Sequence, residues 1–241
     1  MNATTPRTLT LGHTRIPWRL VRSKRRTLAI QVRNGEVEVR SPLRLPEPVI
    51  TAFVNEKALW IHDRLTQQAQ QREEAWRLLP GHTVPYLGEI RQVVWQPGRR
   101  SAVQLDDERL TIFGPAALDE ERATRIFKTW LRQQADAWMT PRARQLAAHA
   151  GLDHRLSAIR YRLTRSKWGH CTSSGALQFN WLVMLAPPAV IDYLIAHEVS
   201  HLRHLDHSPA FWAQVEALCP DHRSLRSWLK AHQHRFAGFY N

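Results

Sequence analysis

Residues 197 to 201 read His197-Glu198-Val199-Ser200-His201. Histidines four apart on a helix share one face about one turn from each other, so both imidazoles can reach a single zinc ion at about 2.0–2.1 Å. Glu198 follows the first histidine, beside the position such a centre leaves open, where a carboxylate can take a proton from water and return it to a leaving amine. That is hydrolytic chemistry. A third ligand is needed, and His207, ten residues beyond His197, is the leading candidate. On an unbroken helix it would stand about 15 Å up the axis and out of reach. The helix must therefore stop, and Ser208-Pro209 supplies the stop: proline pushes its predecessor out of the α region, and Ser208 can cap a new helix. His204, Glu216 and His222 compete for the same place. His204 falls one turn further along the same face, which suits support of a ligand better than ligation, and Glu216 would come from the next helix, as a downstream carboxylate does in other zinc hydrolases. With 13 His in the chain, a chance His-Glu-x-x-His has a probability on the order of a few per cent, and the further histidine lowers it about twentyfold. Surface histidines explain the cluster poorly.

The elements that must hold these residues follow from the flanking pattern. Pro187-Pro188 opens a helix running to about Leu205, with Val190, Tyr193 and Leu194 on its buried side, and Ser208-Pro209 opens another through Leu218. A final helix covers roughly Arg223 to Phe236. Upstream, strand-like Ile159–Leu163 and Leu177–Trp181 flank a polar loop from Thr164 to Gly175. A long helix begins near Asp119 with Phe127, Trp130, Leu131 and Trp138 on its stripe, and Pro141 is expected to kink or restart it. Further upstream, alternation from Leu28 to Val39 about Asn34-Gly35 predicts a hairpin with a type I′ turn. Helical spacing from Glu47 to Arg72 predicts one long amphipathic helix. Short strands near Val84–Leu87, Ile90–Trp95, Ala102–Leu105 and Leu110–Phe113 predict a small antiparallel sheet. No internal repeat is visible in the sequence. The expectation is an α+β protein in two parts: residues 1–115, antiparallel and β-rich with a long helix, and residues 116–241, which carry the His-Glu-x-x-His helix.

The same stretch resembles a known family. Ser166-Lys167-Trp168-Gly169-His170-Cys171-Thr172, Phe179-Asn180-Trp181, Leu185-Ala186-Pro187-Pro188 leading into Ile191-Asp192-Tyr193, His197-Glu198-Val199-Ser200-His201 and Asp206-His207-Ser208-Pro209-Ala210-Phe211-Trp212 are similar to the YgjP-like metallopeptidase domain, related to SprT-like and WLM zinc proteases. Weaker similarity reaches the N-terminal hairpin and Trp60-Ile61 and fades through Pro80–Phe113. The resemblance implies a zincin-like core, Zn2+ held by His197, His201 and His207, and Glu198 as the general base of peptide-bond hydrolysis. It departs at His170, where the family has a serine. Cys171 reads as a small buried hydrophobe rather than a ligand. For Trp168 a cleft wall competes with core packing, for Asn180 a loop-fixing amide competes with a simple turn bond, and for Tyr193 transition-state contact competes with core filling.

Composition bounds the rest. The chain has 241 residues, 43% hydrophobic and 23% charged, which is globular usage. Its two cysteines cannot build a disulfide framework. The most apolar stretch, Trp181 to Val199, is broken by Pro187 and Pro188 and carries Asp192, His197 and Glu198, so no membrane span is expected. Residues 1–7 lack an apolar secretion segment, and the cytoplasm is the expected location. Lys plus Arg against Asp plus Glu is 34 − 21, a net +13, a field that draws polyanions. The expected partner is a peptide or protein substrate; no feature fixes an oligomeric state. The rival reading is a non-catalytic basic module binding nucleic acid, with Arg22-Ser23-Lys24-Arg25-Arg26 and Arg99-Arg100 on phosphates and zinc structural or absent. A combined reading has a protease recruited to nucleic acid. A fourth protein ligand such as His204 or His170 would favour the structural role, because structural zinc sites are closed.

Overall fold

The computed structural model describes residues 7–240. They form two compact units that divide between Glu74 and Ala75. The expected boundary at 115/116 falls inside the second unit, because the strands before it share one core with the helix after it: Val84, Val93, Leu110 and Ile112 pack in the same cluster as Phe127, Leu131 and Met139.

In the first unit, β1 (Arg7–Leu11) and β2 (Thr14–Ser23) form one hairpin, and β3 (Ala29–Arg33) and β4 (Glu36–Pro42) form another. The second turns at Asn34-Gly35, both at positive φ (54° and 79°), as a type I′ turn requires. The sheet order is β1-β2-β4-β3. The short connection from β2 to β3 sends β3 back antiparallel to β2, so its hairpin partner β4 runs parallel to β2 and the region is mixed rather than antiparallel. The single helix expected over 47–72 is two, α1 (Glu47–Glu56) and α2 (Ala58–Glu73), separated by Lys57 at φ −94° and ψ 12°. Ile50, Val54 and Ile61 are fully buried against the sheet, while Trp60 faces solvent at 42% exposure rather than the core.

The second unit opens with the same plan. Strands β5 (Thr83–Tyr86), β6 (Glu89–Pro97), β7 (Ala102–Leu105) and β8 (Arg109–Gly114) form a sheet in the order β5-β6-β8-β7, again two hairpins joined by a parallel pair, and helix α3 (Glu120–His149) follows. Two ββββ-helix segments thus repeat in structure, although no repeat is visible in the sequence. α3 does not restart as a second helix at Pro141 but runs through it as one continuous helix. Its buried stripe, Ala123, Phe127, Leu131, Ala135, Met139, Ala143 and Ala147, advances four residues at a time straight through the proline. Packing along that whole line outweighs the roughly 3 kcal/mol that an interior proline costs.

A third sheet, β10-β11-β9, is made by β9 (Ala158–Tyr161), β10 (Gly169–Cys171) and β11 (Ala176–Phe179). β10 lies within what reads as a polar loop in the sequence and forms one edge of that sheet. Helices α4 (Pro188–Ser200), α5 (Pro209–Leu218) and α6 (His222–His232) complete the unit. α4 is buried on nearly all sides, with Ile191, Leu194, Ile195 and Val199 in the core. Its start is pinned by the β5–β6 turn: Leu87, at φ 52°, donates its N–H to the Met184 carbonyl at 2.8 Å, and a Cβ on Gly88 would lie 3.0 Å from Pro187 Cα. Among the described residues no helix is long and apolar enough to cross a membrane.

Candidate metal centre

α4 carries His197 and Glu198 in its last turn, and His201 caps it. The chain then reverses instead of continuing to Leu205. Ser208 starts α5, its Oγ accepting from the Phe211 N–H at 3.4 Å, and the Ser208 N–H donates to Asp206 Oδ1 at 3.2 Å. This reversal returns His207 to the end of α4, where its Nε2 stands 3.3 Å from Nε2 of His197. One nitrogen from each of His197, His201 and His207 lies within 4.8 Å of the others. No fourth His, Cys, Asp or Glu among the described residues joins that group.

The donor set fits a divalent ion. Two nitrogens bound tetrahedrally at about 2.0–2.1 Å stand about 3.3–3.4 Å apart, close to the spacing of the His197 and His207 rings. His201 Nδ1 is 2.8 Å from the His204 carbonyl, and a carbonyl can only accept, so that nitrogen holds the proton and Nε2 keeps its lone pair. The support expected of the His204 ring therefore comes from its backbone. Fully buried Phe211 stacks on His201 with centroids 4.4 Å apart, and Trp212 lies alongside His207 at 5.8 Å and 28°. Burial holds His197 down at about pH 3 for protonation, helped by His201, His207 and Arg226, so its imidazole stays neutral as a ligand must. His201 is lowered too, mainly by burial.

Glu198 is 3% exposed, and its Oε2 has no hydrogen-bond partner. Burial pushes its carboxyl up to about 8 against the pull of Lys167. An unpaired buried carboxylate costs free energy, whereas a cation beside it restores the charged form. Room for this side chain comes from Gly169 on β10, where a Cβ would fall 2.2 Å from Glu198 Oε1. The group opens on a cleft of about 550 Å³ that Trp168, Tyr193 and Leu205 also line.

Of the competing ligands, Glu216 is exposed and pairs with Arg223 at 3.9 Å, and His222 is buried against Trp212 with rings 5.7 Å apart; neither joins the cluster. Cys171 is buried, its thiol pushed up to about 11 by burial and by Glu198, so it is no thiolate ligand. Asn180 fixes a loop: Nδ2 donates to the Thr164 carbonyl at 2.9 Å and Oδ1 accepts from the Leu182 N–H at 3.1 Å. Trp168 does both things weighed for it, meeting Phe236 edge-on at 4.6 Å while lining the cleft. Tyr193 is 4% exposed, with its ring 6.0 Å from that of His197 and its hydroxyl pushed up to about 12 by burial. Sequence reasoning gave no role to Gly169, Phe211, Lys167 or Arg226. A glycine inside a strand marks a close approach, but Gly169 falls in the stretch that reads as a polar loop, so that signal was hidden.

No curated protein and no solved structure matches the chain. The family profile described as YgjP-like, metallopeptidase domain, matches residues 26–232, which take in the three histidines, Glu198 and the strand against which Glu198 packs. On that match the chain belongs to the YgjP-like metallopeptidase domain family.

Proposed function

We propose that the protein is a zinc-dependent peptidase, with His197, His201 and His207 as metal ligands and Glu198 as general base. The observation that carries this reading is a three-histidine group whose neighbouring carboxylate is buried and unpaired beside a cleft. A divalent ion in that group would polarise a carbonyl oxygen and make water more acidic. Glu198 then takes a proton from the attacking water as the C–O bond forms, and gives it to the amide nitrogen as the C–N bond breaks. Its burial raises its basicity, which suits proton acceptance near neutral pH. Gly169 and the wall of β10 hold the carboxylate against α4.

Purified protein should contain about one zinc per chain, lost when His197 and His201 are both replaced by alanine. Glu198→Gln should keep the metal and lose roughly 10²–10⁴-fold in peptide hydrolysis. Full metal in the double variant, or unchanged turnover in the second, would end the proposal.

Recruitment to nucleic acid is favoured by a separate observation. A groove of about 1000 Å³ between α3 and β9 is lined by Lys128, Arg132, Arg160 and Arg162, with Asp136 its one acid. By contrast, Arg22 of the basic run donates to the Leu43 and Leu45 carbonyls at 3.0 and 2.7 Å. Oligonucleotide binding that weakens steeply with salt and is lost on replacing Arg132 and Arg160 supports recruitment, and no binding at low salt excludes it.

A further inference from the structure

The cleft beside the histidines is one-sided in charge. Lys167 lies in the stretch leading into β10, while Arg226 and Lys230 stand one turn apart on α6, and all three line it. Its only carboxylate is Glu198. The cations flank the centre from both sides: Lys167 acts on Glu198, and Arg226 acts on His197. Arg226 is also held in place, its guanidinium 4.8 Å from the centre of the Trp212 ring, which itself lies alongside His207. All three are exposed, and none makes an ion pair with a described carboxylate, in contrast to Arg223 on the same helix, which pairs with Glu216. Arg226, Leu229 and Lys230 on α6 and Gln233 at its C-terminal cap follow the spacing of one helical face, and all border the cleft. Their span is about 10 Å, the length of roughly three extended residues.

An unneutralised cationic wall repels cationic chains and attracts anionic ones, and a concave surface concentrates that field. We propose that the cleft selects acidic peptide segments, with Arg226 and Lys230 on one wall and Lys167 on the other receiving Asp or Glu side chains next to the scissile bond. Peptide as the substrate class rests on the peptidase reading; selection for negative charge rests on the cleft alone.

The test uses full-length Glu198→Gln protein, which should not cleave, and three fluorescent peptides of equal length that are acid-rich, neutral or basic. The acid-rich peptide should bind about tenfold tighter than the neutral one at low salt, and the gap should close as salt rises. Arg226→Glu with Lys230→Glu should abolish the preference, and so should Lys167→Glu made separately, which guards against loss of folding on α6; circular dichroism checks each variant. Equal binding of the three peptides, preference for the basic one, or no binding of any of them overturns the inference. Metal-dependent cleavage of an unfolded protein by wild type is measured alongside. Its absence with the acidic preference intact would remove the peptidase reading and leave an anion-selective cleft, so the two failures are distinguishable.

Discussion

Glu198 and Gly169 are a pair that spacing along the chain could never reveal. The His197–His201 relation is local, set by helix geometry over four residues, and so was legible; the contact with Gly169 spans two elements and depends on how β10 meets α4. Gly169→Ala tests it. A Cβ there must displace the carboxylate, which at 3% exposure has little room to move, so hydrolysis should fall about 10- to 100-fold while metal content stays at wild type. Normal turnover would show that Glu198 is free to adjust. The burial of Glu198 also predicts how stability varies with pH. With metal removed by a chelator, the folded protein holds this proton up to about pH 8, whereas the unfolded chain releases it near 4.5. The contribution is favourable below 4.5 and is lost as pH rises toward 8. His197 has the opposite sign, because its folded value of about 3 lies under the ordinary 6.5 and stability is lost as pH falls through that window. Glu198→Gln removes only the first effect. The stability of chelated Glu198→Gln relative to wild type should grow by up to roughly 4 kcal/mol between pH 4.5 and 8, measured by urea unfolding. A gap that does not change with pH would contradict the buried, unpaired state of Glu198.

Elements place these residues, and their ends matter more than their middles. Ser208-Pro209 was legible as a stop because both residue types act locally, and the structure uses them to turn His207 back toward α4. Ser208→Ala should cost about 1 kcal/mol and lower the melting temperature by a few degrees. Metal affinity should weaken as well, since the cap fixes the first turn of α5 on which Phe211 and Trp212 face the histidines. Ser208→Asp, which keeps an acceptor at the cap, should recover both. Unchanged metal affinity in Ser208→Ala would mean that the loop before it positions His207 unaided. Other boundaries were hidden from sequence. Lys57 separates α1 from α2 with no glycine or proline to mark it, and Pro141 lies inside a helix whose buried stripe continues through it. Local propensity decides when little else acts on a segment, and long-range packing overrides it when a whole apolar face is buried. Strand direction was hidden for a related reason: alternation reports which face is buried and says nothing of which neighbour a hairpin selects, hence the unforeseen parallel pairs β2–β4 and β6–β8.

At the scale of the whole molecule, the repeated ββββ-helix plan separates what surrounds the centre from what does not. The first hairpin of each copy turns through a glycine at positive φ, at Gly12-His13 in the first and at Leu87-Gly88 in the second. Only the second copy is built into the unit that carries the three histidines: Leu87 bonds to Met184 just ahead of α4, and α3 shares its core with α4. The first copy closes on its own core of Leu9, Ile16, Trp18, Val37, Val39, Ile50, Val54 and Ile61. A segment from Ala75 onward has its own core, all three histidines and Glu198, and is long enough to bury that core unaided. Expressed alone, residues 75–241 should therefore fold, melt cooperatively by circular dichroism and bind about one metal ion per chain. Its affinity for that ion should stay within about threefold of the full chain, since every residue that shapes the cluster is retained. An unfolded fragment, or a folded one without metal, would show that the first copy is needed to form the centre, and would overturn the separation of the two cores as a description of stability.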